Sequence, residues 1–166
     1  MTLTLAAVGA VLAAVLESAL WPHIVVGEAH PHLVFVYVVI LAVVLGAEAG
    51  LTAAFVGGLA LDLILPRPLG ISVFSLLVCA GIASVAGRGL DRIRYVAPIV
   101  MVFVLSFVYS ITLATLASAL SSAAGPSDPF ARLMPGVVYD TLIAAVIGPI
   151  AVAFRVRRLE QDRVDW

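Results

Sequence analysis

Residues 57–70 read GGLALDLILPRPLG, an apolar run of Gly, Ala, Leu and Ile with one carboxylate, Asp62, set inside it and Pro-Arg-Pro-Leu-Gly at its close. Two prolines and a glycine end a helix and turn the chain. Asp62 therefore belongs near the end of a membrane-length helix rather than at its middle. Reading back from it by fours gives Gly58, Ala54 and Gly50, a stripe of small residues of the kind that lets a second helix backbone approach closely. A carboxylate on such a packed face must find hydrogen-bond donors or lose its charge. The nearby candidates are Arg67, backbone N–H groups around Pro66 and Gly70, and the Ser72 hydroxyl. The simpler reading makes Asp62 an N–H acceptor that pins the turn between helices three and four. The other makes it a contact for a ligand or for a partner docked on the stripe.

Working outward, 63% of the 166 residues are hydrophobic, 11% are charged and the mean hydropathy is +1.20, values that a water-facing surface does not allow. The chain reads as an all-α integral membrane protein of a single polytopic domain. Its formal net charge of -1 suggests no nucleic-acid partner. A span needs about 20 apolar residues, and the breakers leave six, near 3–21, 32–46, 49–65, 70–87, 95–120 and 134–154, with a tail at 155–166. The first lacks the basic start of a cleaved signal and is expected to stay as a helix. Gly46-Ala47-Glu48-Ala49-Gly50 joins the second and third as a tight hairpin. A single kinked helix over 33–65 is the alternative, but it would bury Glu48 at the bilayer centre.

All nine basic residues are arginines. Arg88, Arg92 and Arg94 occupy one loop, and Arg155, Arg157, Arg158 and Arg163 the tail; six spans with the N-terminus inside put both groups in the cytoplasm and leave Arg67 and Arg132 outside. This predicts a multi-pass protein of a plasma membrane with both termini cytoplasmic. The tail reads as a solvated, frayed end, because its apolar face is too thin to hold a surface helix in the interface.

Three acids, Glu17, Asp62 and Asp140, then share one depth near the outer ends of helices one, three and six. Charges inside a membrane usually mark function, so a proton relay, cation site or small-molecule site is one reading. Helix-end chemistry is the other. Glu17, beside Trp21, would reach headgroup water, and Asp140, five residues after Pro135, would sit in the first turns of helix six, where its own helix dipole favours an acid. Glu48 reads as a hydrated turn residue. His23, His30 and His32 lack metal-ligand spacing and read as loop residues, with Pro31 starting helix two. The hydroxyls of helix five, from Ser106 to Ser118, read as bonded to their own i-4 carbonyls, and Cys79 as a packing residue. No nucleophile, zinc or phosphate-binding motif appears, so neither catalysis nor a cofactor is expected.

Residues 50–77 resemble the signature of the rod shape-determining protein MreD family: Gly58, Leu59 and Asp62 match its Gly-Leu-x-x-Asp helix end, and Pro68, Leu69 and Gly70 its following turn. His-Pro-His-Leu before helix two and the glycines at 46 and 50 are similar too. The inner turn at 46–50 departs from the family in being less basic. The resemblance implies a non-catalytic scaffold of the bacterial elongasome in the inner membrane, bound to the bitopic protein MreC. Through MreC it would reach a SEDS glycosyltransferase, a class B penicillin-binding protein and MreB, supporting lateral peptidoglycan synthesis and rod shape. It also implies a fold like the substrate-binding subunits of energy-coupling-factor transporters. The alternative function is a small-molecule-binding or transport subunit with its site near the outer ends of helices one, three and six, where Trp21, Phe130 and Tyr139 are the aromatics at hand.

Overall fold

A computed structural model describes residues 2–20, 31–66, 68–90, 93, 95–120 and 129–164, with side chains described outside 129–133 and 157–164. Six α-helices follow one another: α1 (Thr2–Leu20), α2 (Leu33–Val44), α3 (Ala47–Ile64), α4 (Ile71–Gly87), α5 (Ala97–Leu120) and α6 (Pro129–Val164). Four of them, α1, α3, α5 and the stretch Met134–Val156 of α6, are long and apolar enough to cross a membrane. α2 and α4 are apolar but shorter. At about 1.5 Å per residue, the 12 residues of α2 fall well short of a hydrocarbon core about 30 Å thick.

α2 is the centre of the bundle. It packs against α1, α3, α4, α5 and α6, while α1 packs on α3, α3 on α4, α4 on α5 and α5 on α6. The five outer helices form an arc around α2, and the two ends of the arc, α1 and α6, make no substantial contact. A helix apolar on every side is a buried helix; Val34, Phe35, Val36, Val38, Val39, Ile40, Ala42 and Val44 are accordingly all buried. The half-buried Tyr37 and Leu41 and the exposed Leu45 follow at steps of four and mark the side of α2 that faces the gap.

The hairpin between α2 and α3 exists, and it excludes the single kinked helix. Gly46 takes φ +99°, a conformation that costs a residue with a Cβ, and Glu48 is exposed in the first turn of α3. The small-residue stripe of α3 is spent inside the chain. A Cβ on Gly50 would lie 2.7 Å from Ala42 Cα of α2, and one on Gly58 would lie 2.6 Å from Val73 Cα of α4. Gly50, Ala54, Gly58 and Asp62 are all buried. The stripe thus serves as a helix-packing face, meeting α2 at Gly50 and α4 at Gly58.

α6 departs from expectation at both ends. It starts at Pro129 rather than near 134, keeps Pro135 and Pro149 within it, and runs on to Val164, so the tail is a helical extension, not a frayed end. After Pro149 there is no further Gly or Pro up to Val164, and the Arg, Leu, Glu and Gln found there are good helix formers.

Candidate functional site

The three membrane acids sit on long helices and serve the N-termini of the two short ones. The first N–H groups of a helix have no partner within it, and a helix too short to reach the headgroups leaves them where water is scarce. α4 begins after Gly70, whose φ of +97° requires glycine; having no side chain, Gly70 cannot cap the helix itself. Asp62 of α3 does so instead. Its Oδ2 accepts N–H from Gly70 at 2.8 Å and from Val73 at 3.4 Å, and its Oδ1 accepts from Ser72 at 3.0 Å. The donors are thus backbone N–H groups, while Arg67 lies outside the described residues. Asp62 is only 3% exposed.

The N-terminus of α2 is held from two sides. Glu17 Oε2 on α1 accepts the Val34 N–H at 2.9 Å, and Asp140 Oδ1 on α6 accepts the His32 N–H at 2.8 Å. Asp140 Oδ2 also accepts from Ser106 Oγ of α5 at 2.8 Å and lies 3.2 Å from His32 Nδ1. The His32 ring stands edge-on to Tyr109, centroids 5.2 Å apart, and Tyr109 stacks on Phe35 at 4.9 Å. One buried carboxylate therefore ties α2, α5 and α6 together. Negative charge at the positive end of a helix dipole adds to the hydrogen bonds.

Several sequence readings change here. Glu17 does not reach headgroup water; it is 4% exposed and turned inward. Asp140 is fully buried and lies eleven residues into α6 (129 to 140), so the dipole it meets is that of α2, not its own. His32 is the N-cap residue of α2 rather than a loop histidine; His23 and His30 lie outside the described residues. In helix five, Thr112 and Thr115 do bond to the carbonyls of Val108 and Ile111, at 2.6 and 2.9 Å, but Ser106 reaches Asp140. The acids are engaged with backbone N–H groups: Glu17 and Asp140 serve α2, and Asp62 serves α4. Among the described residues, no group of three His, Cys, Asp or Glu side chains is placed to hold a metal ion. Trp21 and Phe130 lie outside the described side chains, and Tyr139 is half-buried.

A sequence signal for the two missed caps does exist. Asp62 continues the stripe Gly50, Ala54, Gly58, and on α1 the buried residues are Ala6, Ala10, Ala14 and then Glu17. On α6, Gly136, Asp140, Ala144 and Gly148 are buried at steps of four. In each case small residues bring a neighbouring helix close, and the acid stands where that neighbour starts.

The sequence of the rod shape-determining protein MreD family matches residues 2–155. The chain belongs to the MreD family. It is a membrane protein of a family that acts in rod shape determination and is not known as an enzyme family. No curated protein and no solved structure matches the chain. In MreD terms, the motif residues Gly58, Asp62 and Gly70 form one helix-turn-helix lock: Gly58 lets α4 approach, Gly70 starts it and Asp62 caps it. Pro68 and Leu69 are exposed in the turn. Of the predicted cytoplasmic arginines, Arg88 is exposed at the end of α4 and Arg155 is exposed on α6. Arg92 and Arg94, and the side chains of Arg157 and Arg158, lie outside the described residues.

Proposed function

We propose that this chain is a non-catalytic scaffold of the bacterial elongasome, crossing the plasma membrane six times with both termini in the cytoplasm. It holds the single span of MreC in the bilayer. Through MreC it supports the SEDS glycosyltransferase, the class B penicillin-binding protein and MreB in building the lateral wall. The fold that goes with this reading is that of the energy-coupling-factor substrate-binding subunits. The observation that carries it is the use made of the three membrane acids: in a family of shape determination, each is spent on a helix N-terminus, giving a rigid bundle. Rigidity suits a part whose task is to position other proteins. The orientation rests on the arginines at 88–94 and 155–163.

Gentle solubilisation of the tagged chain tests the proposal. MreC is expected to co-purify, and deletion of the gene is expected to turn rods into spheres. If no bitopic protein is recovered and the deleted strain stays rod-shaped, the scaffold reading fails.

A further inference from the structure

The gap between the ends of the helical arc is a groove of about 290 Å³. α2 forms its floor with Tyr37, Leu41 and Leu45, α1 lines it with Leu5, and α6 with Ala151 and Arg155. Tyr37 lies against α1 because Gly9 has no side chain there, and its hydroxyl faces the Leu5 and Ala6 carbonyls at 3.4 Å. Among the described residues the wall is mostly apolar, with the guanidinium of Arg155 at one end. No described residue forms an ion pair with Arg155, and no acid is among the described residues that line the groove.

We propose that this groove holds an anionic phospholipid, with one acyl chain lying along α2 between α1 and α6 and its phosphate on Arg155. Length decides the class of occupant. From Tyr37 to Leu45 the floor rises about 12 Å at 1.5 Å per residue, most of one leaflet of a hydrocarbon core about 30 Å thick. A partner's membrane helix would need a groove running the full thickness and about 10 Å wide. Charge decides the headgroup: a guanidinium at the end of an apolar slot selects phosphate-bearing lipids of net negative charge over zwitterionic ones. The orientation proposed above makes this the inner leaflet, but the binding does not depend on the scaffold role.

Native mass spectrometry of the full chain, released from micelles containing equal amounts of dioleoyl phosphatidylglycerol and dioleoyl phosphatidylethanolamine, tests it. The wild type is expected to retain one phosphatidylglycerol with a preference of about fivefold, the selectivity of a single near-surface arginine. Arg155→Gln is expected to bring the two lipids to parity, and Ala151→Phe, which fills the slot, to lose both. Arg88→Gln removes the same charge elsewhere and is expected to keep the wild-type preference. Monodisperse elution and an unchanged melting temperature establish that each variant is folded. Absence of retained lipid, equal retention of both lipids by the wild type, or a preference unaltered by both groove variants would overturn the proposal. So would a dimer, or a co-purified bitopic protein, that Ala151→Phe releases, since the groove would then belong to a protein. MreC recovered equally with wild type and Ala151→Phe leaves the scaffold reading standing whatever becomes of the lipid.

Discussion

Asp62 shows what a carboxylate does inside a membrane protein when its partners are backbone groups rather than cations. Three N–H groups of one helix start converge on its two oxygens, so the charge is solvated by the fold. Removing it orphans those donors in a buried site. An unsatisfied buried polar group costs roughly 1–3 kcal/mol; with two short bonds and one long, Asp62→Ala is expected to cost about 3 kcal/mol in all. Asp62→Asn keeps one acceptor oxygen and turns an NH₂ toward donors, and is expected to cost about half as much. Thermal melting of the solubilised protein, followed by loss of the monodisperse elution peak, reads both. Wild-type melting of Asp62→Ala would show that α4 needs no external cap. The role of Asp62 was legible because its donors lie 8 to 11 residues away, within one helix-turn-helix stretch. That of Asp140 was not, because His32 is 108 residues distant: Pro31 marks where α2 begins and the small residues around Asp140 mark a close neighbour, but neither stretch records that the two meet.

At the scale of elements, close approach and capping are one device. α4 meets α3 at Gly58 and is capped by Asp62 one turn further on, so anything that pushes the helices apart also lengthens the cap bonds. Gly58→Ala would place a methyl 2.6 Å from Val73 Cα, a backbone atom that cannot rotate away. Overpacking of this kind costs about 1–3 kcal/mol. Gly81 lies in α4, the helix of Val73, with open space around it, and Gly81→Ala is expected to melt at or above wild type, since alanine is the better helix former by about 1 kcal/mol. Equal melting of the two variants would mean that α3 and α4 are not held at backbone contact. Helix ends divide the same way between what the sequence shows and what it hides. The α2–α3 hairpin was written in Gly46, which supplies the positive φ. The shortness of α2 was written there too, in the run bracketed by Pro31 and Gly46; the start of α6 at Pro129 was not, because Pro135 reads as the opening of a helix rather than as part of one already begun.

For the whole molecule, the two short helices and the three acids explain one another. The 12 residues of α2 are too few to cross an apolar layer about 30 Å thick, and α4, at 17 residues, is one residue shorter than α3; both start at N–H groups that no side chain of their own caps. Carboxylates from α1, α3 and α6 supply the caps that water would otherwise provide, and α2 can then serve as the central post of the arc. The arc also fixes a symmetry of ends. Thr2 and Arg155 line the same groove, which fits the proposed even number of crossings. In the orientation proposed from the arginine bias that side is the cytoplasm, and single-cysteine labelling in intact cells tests it. Cys79 is fully buried and is expected to stay silent. Leu69→Cys, in the exposed turn before α4, is expected to react with an impermeant maleimide from outside. Glu48→Cys and Arg88→Cys, in the turns at the opposite end, are expected to react only after the membrane is permeabilised. The opposite pattern would invert the molecule and set Arg155 and its groove in the outer leaflet. Labelling of Leu69→Cys and Arg88→Cys from the same side would mean that α4 turns back instead of crossing, and the six-crossing bundle would have to be abandoned.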